Sequence, residues 1–379
     1  MSIAPLLTGA SGVALILIII WDAFETILVP RRIGRRVRLT RYFYMISWRM
    51  WRAVALFIRR PQRREGFLGF YGPLSLIVLL FCWAAGLILG FALLALATNS
   101  RAGAAPDSFG MLIYMSGETF FTLGFGDITP TTVVGRFLAV LEAGLGFGFL
   151  GTVVGYLPTM YAAFAQREIE ISLMDARAGS PPTATEFLRR IAPADGNQRC
   201  HDQLAAWERW SAQLLETHIS YPQLAYYRSQ HSNQSWLATL TTVLDSTSLL
   251  LARPGVPATS QAQLTFAMAR HALVDVTQIF VPRFLPAARG RLAVDDMLRM
   301  RAQLADSAMQ LPDDSEFEGG LATLRLMYEP YAQALGAYLL FELPPWAHAQ
   351  PRRDNWQGGP WDKLLSARSS PTHRSDEHF

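Results

Sequence analysis

The apolar residues of this chain are concentrated before Gln166, where they form three long stretches. These stretches cover residues 8–29, 67–97 and 131–164. Each is long enough to cross the hydrocarbon core of a bilayer, roughly 30 Å thick, as a helix. No basic residue precedes the first stretch, so a secretory signal peptide is not expected. The first part of the chain is therefore predicted to be an all-α membrane protein with three transmembrane helices.

A six-residue motif lies between the second and third stretches and places two glycines around one aromatic residue: Thr122, Leu123, Gly124, Phe125, Gly126 and Asp127. Residues 108–121 lead into it as an amphipathic segment too short to cross a bilayer, which predicts a re-entrant helix. Glycine adopts φ > 0 at little cost, so glycines at alternate positions allow successive backbone carbonyls to point to the same side. Carbonyls arranged in this way can replace the hydration shell of a cation.

The motif resembles the selectivity filter of the pore-loop K+ channel family, for which TVGYG is one form. Leu123 stands here for Val, and Phe125 for Tyr. The resemblance covers residues 67–164 and is closest to prokaryotic members with a single pore loop per chain. It implies K+ as the permeant ion and a homotetramer, since a filter ring needs four loops. The expected ion-binding residues are Thr122, Leu123, Gly124, Phe125 and Gly126. Phe125 is expected to point away from the ion and wedge the loop against the pore helix.

Two acids flank the motif. Glu118 lies four residues before Thr122, as in many family members, and the resemblance implies that it pairs behind the filter with Asp127. Two carboxyls in a confined site do not both ionise cheaply, so we expect them to share a proton. The alternative is that Glu118 binds backbone amides of the filter alone and that Asp127 is solvated.

The third stretch resembles the inner helix of the same family from Gly135-Arg136 onward. This alignment places Gly146 at the family's hinge glycine, and Gly151 is a second candidate hinge. A second Gly-Phe-Gly occurs at residues 146–148, but it lacks the preceding Thr and following Asp and is not interpreted as a filter. Pro158 is expected to bend the inner end of this helix.

Residues 31–66 are strongly basic, with 12 arginines from Arg31 to Arg64 and one neighbouring acid, Glu65. Aromatic and aliphatic residues alternate with arginine at helical spacing, which predicts an amphipathic helix on an anionic membrane face. Nucleic-acid binding is disfavoured because membrane spans flank the segment on both sides. The positive-inside rule places this segment in the cytoplasm and the N-terminus outside.

Asp22 and Glu25 lie in the last third of the first stretch. Acids inside a span often mark a functional site. The alternative, which we favour, is that they lie near the interface and pair with nearby arginines.

Residues 166–343 predict a cytoplasmic α-helical domain with helical periodicity in several segments. One predicted buried face carries Leu204, Trp207, Ser211, Leu214 and Leu215. Residues 344–379, rich in Pro, Arg, Ser and Asp, are expected to be disordered. The domain lacks the Gly-x-Gly-x-x-Gly fingerprint of the Rossmann-type regulator domains found on many prokaryotic channels. The regulatory ligand of those domains is therefore not carried over.

Residues that would indicate an enzyme or a metal centre are scarce. His218 and His231 lie in a polar and aromatic stretch and could form a metal or small-molecule site, although ordinary hydrogen bonding is favoured. Cys82 and Cys200 are too far apart in the predicted organisation to form a disulfide. No metal cluster beyond bound K+, no other cofactor and no enzymatic activity are expected.

The sequence thus predicts a K+-selective channel in a bacterial inner membrane, regulated by its cytoplasmic domain. The bacterial origin rests on arginine usage, since Lys363 is the only lysine. Two alternatives remain open: a poorly selective cation channel, and a membrane-anchored sensor or scaffold with a vestigial pore.

Overall fold

The computed structural model describes residues 3–27, 38–99, 108–191, 196–230, 233–253, 259–281, 290–307, 309–350, 353–357 and 361. The chain divides into two compact units. The membrane unit contains Met1–Phe164 and Thr217–Arg228, and the helical unit contains Ala165–Glu216 and Ser229–Phe379.

Among the described residues, the membrane unit is built on helices α1 (Ile3–Ile27), α2 (Leu39–Phe57), α3 (Pro61–Ala97), α4 (Phe109–Phe120) and α5 (Val133–Ala178). Helices α1, α3 and α5 are long and apolar enough to cross a membrane. Helix α4 has 12 residues. It is therefore only about 18 Å long and cannot span the bilayer. These features confirm the predicted all-α membrane class.

Two helices extend beyond their predicted bounds. Helix α3 begins at Pro61, so Pro73 lies inside the helix and not near its start. Proline inside a helix removes one backbone hydrogen bond, and the helix nevertheless continues through Pro73. Trp51 of α2 stacks on Phe67, with ring centroids 4.3 Å apart. Helix α5 continues to Ala178, past the predicted end at residue 164.

Helices α1 and α3 pack closely through glycines. A Cβ at Gly12 would lie 2.8 Å from the carbonyl oxygen of Gly90, and a Cβ at Gly86 would lie 2.3 Å from Ile19. Small residues of this kind allow membrane helices to approach each other and gain van der Waals contact. The additional N-terminal span is thus an integral part of the membrane unit.

The two acids of α1 have different partners. Glu25 forms an ion pair with Arg38 at 3.4 Å, as the favoured hypothesis expected. Asp22 instead accepts hydrogen bonds from Thr40 Oγ1 at 2.6 Å and from the Thr40 backbone N–H. It also accepts one from Trp83 Nε1 at 3.0 Å. Asp22 therefore joins the start of α2 to both α1 and α3, a role that arginine pairing did not predict.

The described ranges after residue 178 contain the helices α6 (Ala184–Ile191), α7 (Gly196–Ser220), α8 (Trp236–Ala252), α9 (Thr259–Phe280), α10 (Val294–Leu304), α11 (Ser315–Leu326) and α12 (Glu329–Leu339). Helix α8 is buried along nearly its whole length and contacts α6, α9, α11 and α12. It is the central helix of the helical unit. The predicted face of α7 is buried at all five of its positions: Leu204, Trp207, Ser211, Leu214 and Leu215.

Helices α11 and α12 follow each other closely and are separated by a break at residues 327–328. Pro330 is the second residue of α12 and fits the first turn of a new helix. A short 3₁₀ helix, Pro222–Tyr226, follows α7 and was not predicted.

The first part of the expected disordered tail is folded. Trp346 is buried, and its carbonyl accepts hydrogen bonds from the backbone N–H and hydroxyl of Thr185. Asp354 pairs with Arg190 at 2.8 Å. Burial raises the pKa of Glu186, but hydrogen bonds from Arg189 and Arg190 outweigh it and bring that pKa to about 2. The Pro- and Arg-rich composition masked these anchors. Residues 362–379 lie outside the described part of the chain.

Candidate functional site

The site is built on α4, which is held at its start and along one face. Ser108 caps its N-terminus, because the Ser108 hydroxyl accepts a hydrogen bond from the Met111 backbone N–H at 3.3 Å. Leu112 and Met115 pack against Ala92 and Ala95 of α3. The cap agrees with the predicted start of this segment at residue 108.

The loop after α4 has an alternating backbone. Thr122, Gly124 and Gly126 have φ of +55°, +67° and +75°. The two glycines adopt this conformation at little cost, whereas a β-branched residue such as Thr122 rarely does. A left-handed residue at every second position brings successive carbonyls to one side of the chain. Sequence reasoning anticipated the two glycines but not Thr122.

Glu118 holds the loop at two points. Its backbone carbonyl accepts the N–H of Leu123 at 2.9 Å. Its Oε1 accepts the N–H of Gly126, also at 2.9 Å. The side chain is buried, so this hydrogen bond is shielded from water. Glu118 therefore braces both the beginning and the end of the alternating segment.

Asp127 does not share a hydrogen bond with Glu118. Its carboxylate instead accepts a hydrogen bond from the Tyr114 hydroxyl, with Oδ2 at 3.3 Å, and the residue is exposed. The expected shared proton between the two acids is thus not part of this structure. The alternative hypothesis, in which Glu118 binds filter amides alone, matches the geometry of Glu118. The Tyr114 contact was not foreseen.

Phe125 also differs from expectation within a single chain. Its side chain is 68% exposed, so it does not wedge the loop against α4 of its own chain. Leu123 is 55% exposed as well. The alternating segment is therefore supported from behind by Glu118 and open on its other sides.

The inner helix α5 touches the end of α4 at Gly146. A Cβ at Gly146 would lie 2.0 Å from the carbonyl oxygen of Phe120, a distance no side chain permits. A Cβ at Gly151 would meet no atom within 4 Å in this chain. Helix α5 is continuous through both glycines. The close approach of α5 to α4 therefore explains why residue 146 is glycine, without requiring that it act as a hinge.

Sequence reasoning missed a contact between α4 and α5. Glu142 of α5 is buried and forms a short hydrogen bond with the Ser116 hydroxyl of α4. Glu142 is the only acid in the predicted span 131–164, and this signal could have identified it. An acid inside a membrane span is costly unless it is paired or neutral.

Of the two histidines considered as a possible site, only His218 is among the described residues. His218 is buried beside Thr217, whereas His271 is exposed and lies 3.3 Å from Asp275. His231 lies outside the described ranges. Within those ranges no group of three or more His, Cys, Asp or Glu side chains could hold a metal ion.

A short helix between two long apolar helices, followed by a loop with alternating backbone, defines a pore-loop module. Residues 75–163 match a family model described as an ion channel. Residues 75–163 are therefore a pore-loop ion-channel module, in a chain with three helices that could cross a membrane.

The chain is similar to several curated bacterial proteins. It is 28% identical over 201 residues to the uncharacterized membrane protein YdjJ of Bacillus subtilis (strain 168), covering 50% of this chain and 55% of YdjJ. It is 35% identical over 77 residues to Protein LctB of Geobacillus stearothermophilus, covering 17% of this chain and 57% of LctB. Protein LctB of Bacillus caldotenax shows the same identity and coverage. The chain thus spans a little over half the length of these relatives. No solved structure matches it.

The contact between Glu118 and Gly126 leads to a prediction. Glu118→Ala removes the acceptor of the Gly126 N–H, and loss of such a partner costs about 1–3 kcal/mol. We expect conduction in planar bilayers to decay several-fold faster, with cation preference largely retained. Glu118→Gln keeps an acceptor oxygen and should decay more slowly than Glu118→Ala, and Asp127→Asn should change little. Equal decay in all three variants would contradict the bracing role of Glu118.

Proposed function

We propose that the chain is the subunit of a K+-selective channel that conducts K+ passively. The alternation of positive φ at Thr122, Gly124 and Gly126 carries this proposal. Carbonyls aligned on one side of the chain supply the oxygen ligands that replace water around K+. In this reading the backbone carbonyls of residues 122–126 bind the permeant ion, and the Thr122 hydroxyl adds oxygen at the inner end.

The working assembly is proposed to be a homotetramer with cyclic symmetry, because each chain supplies one pore loop and a ring needs four. The apolar surface that α5 leaves uncovered in a single chain supports this assembly. Only 11% of the most apolar window of α5 is buried within the chain. Phe125, exposed in one chain, would then wedge against a neighbouring copy and not against its own α4.

Reconstitution into liposomes tests the proposed function. Purified protein should carry K+ down its gradient at a rate far above empty liposomes, and should carry Na+ at least tenfold more slowly. Nearly equal rates for the two ions would favour the poorly selective cation channel. Absence of flux for both, from folded tetramers, would favour the sensor or scaffold.

The orientation follows from the arginines of residues 31–66, which we propose face the cytoplasm of a bacterial inner membrane. Residues 31–37 lie outside the described ranges, but α2 exposes both apolar and basic side chains. Ile46, Met50 and Phe57 are exposed, as are Arg41 and Arg49. This combination fits a membrane surface with anionic headgroups.

Cysteine labelling checks the orientation. In a background with Cys82 and Cys200 replaced by alanine, a cysteine at Asn99 should react with an impermeant reagent added outside cells. A cysteine at Arg209, also exposed, should react only after the cells are opened. The opposite pattern would reverse the proposed topology.

We further propose that the helical unit regulates conduction through residues 217–228. This segment belongs to the membrane unit, although the chain on both sides of it forms the helical unit. Gln223 donates a short hydrogen bond to the Tyr156 hydroxyl of α5. Tyr226 stacks on Tyr44 of α2 with ring centroids 5.7 Å apart. A displacement of this segment would therefore act directly on the inner helix.

A further inference from the structure

Ser116 has more hydrogen-bonding neighbours than its single proton can serve. Its hydroxyl oxygen lies 2.8 Å from the carbonyl oxygen of Ile88 in α3. The same oxygen makes a short contact with Oε1 of Glu142 in α5. A backbone carbonyl and an ionised carboxylate can only accept hydrogen bonds, whereas a hydroxyl has a single proton to donate. An ionised Glu142 would thus leave one of these two contacts without a proton.

A protonated Glu142 satisfies both contacts. The carboxylic acid donates its proton to Ser116 Oγ, and the Ser116 hydroxyl then donates to the Ile88 carbonyl. We infer that Glu142 is held as a neutral carboxylic acid and that it positions the pore helix α4 between α3 and α5. This inference deepens the proposed channel function and assigns Glu142 as a positioning residue, one that does not touch the ion.

The surroundings of Glu142 favour the neutral form. The side chain is only 4% exposed, and burial disfavours a charge that has no partner. Between Gly66 and Ala97, α3 has no Asp, Glu, Lys, Arg or His, and its ionisable side chains there are Tyr71 and the exposed Cys82.

The two ionisable groups of α4 and Arg136 of α5 have partners other than Glu142. On α4, Tyr114 bonds to Asp127 and Glu118 bonds to the Gly126 N–H. On α5, the guanidinium of Arg136 donates to the carbonyl of Pro130. None of these contacts supplies a cation to Glu142 among the described residues.

The position of Ser116 connects its hydrogen bond with Glu142 to the loop after α4. Ser116 is two residues before Glu118, which holds the Gly126 N–H in the loop. A shift of α5 that moves Glu142 therefore pulls on the turn of α4 that braces the loop. Ionisation of Glu142 at alkaline pH removes the proton that it donates to Ser116. Ser116 then keeps only one of its two hydrogen bonds, to the Ile88 carbonyl or to Glu142.

Infrared difference spectroscopy on the full-length protein in lipid tests the protonation state. The spectrum of wild type minus Glu142→Gln at about pH 7 should contain the carbonyl band of a protonated carboxylic acid. Ser116→Ala should keep that band but shift it to higher frequency, because the acid loses its hydrogen-bond acceptor. If the difference spectrum shows ionised-carboxylate bands instead, Glu142 is charged and the inference is wrong. If Glu142→Gln does not fold, an unshifted spectrum in Ser116→Ala would overturn it equally.

A second measurement concerns conduction and relies on the proposed function. Wild-type K+ flux should change about tenfold between neutral and strongly alkaline pH, the factor that corresponds to roughly 1.4 kcal/mol. In Glu142→Gln the K+ flux should not change over this pH range, since the amide does not titrate there. A wild-type pH profile retained in the variant would exclude Glu142 as its origin. The infrared result does not depend on flux, so failure of the channel proposal and failure of this inference are distinguishable.

Discussion

Gly126→Ala is expected to abolish selective K+ flux in liposomes. Gly126 has φ of +75°, and an L-residue adopts this region at a cost of about 1–2 kcal/mol. In the proposed tetramer this cost is repeated in each copy of the ring. A Cβ at this position meets no atom within 4 Å, so the expected effect arises from the backbone conformation and not from a clash within the chain. Gly124→Ala, at φ of +67°, should behave in the same way.

Gly66→Ala is the matched control. Gly66 lies in α3, a Cβ there also meets no atom within 4 Å, and its φ is not positive. It should retain wild-type flux and preference for K+ over Na+. If Gly126→Ala and Gly124→Ala keep that preference too, residues 122–126 are not the filter.

Asp245→Ala is expected to destabilise the helical unit by roughly 3 kcal/mol, because it removes the closer of two acids that pair with the buried guanidinium of Arg291 and leaves the more distant Glu329, at 3.8 Å. Asp245 is fully buried and accepts hydrogen bonds from Arg291 at 3.1 and 2.6 Å. It also accepts one from the Tyr328 hydroxyl at 2.5 Å. For a unit of this size the midpoint of thermal unfolding should fall by about 10 °C, read by circular dichroism of the full-length protein.

Two variants define the size of this effect. Asp313→Ala removes an ion pair with Arg301 in which the Asp313 side chain is 84% exposed, and it should change stability by less than about 0.5 kcal/mol. The double variant Asp245→Leu with Arg291→Met removes both buried charges and should recover much of the lost stability. A double variant that is as unstable as the two single losses combined would show that the pair is not coupled.

The sequence predicted those elements whose signal is local. Long apolar stretches gave α1, α3 and α5, and Ser108 marked the start of α4, because length and capping act within a few residues. The folded part of the tail was not predictable in this way. Its anchors, Trp346 and Asp354, depend on Thr185 and Arg190, which lie far away in the chain.

The candidate site shows the same division. Glycine at positions 124 and 126 indicated the positive φ directly, since few other residues tolerate it. Sequence spacing could not show whether Glu118 bonds to Asp127 or to the Gly126 N–H. The two candidate partners are adjacent in sequence, and only the path of the loop determines which of them faces Glu118. Glu142 was visible as a lone acid in a span, yet its partner Ser116 lies on another helix.

The return of residues 217–228 to the membrane unit limits how this protein can be dissected. A version truncated after Phe164 would lack Tyr226, which packs against Trp48 and Tyr71, with ring centroids 5.0 Å from each. It would also lack Tyr227, whose ring fills the space above Gly72. The membrane unit and the helical unit are therefore not separable at residue 164. A chimera that grafts another sensor onto α5 must retain this aromatic segment or replace its contacts.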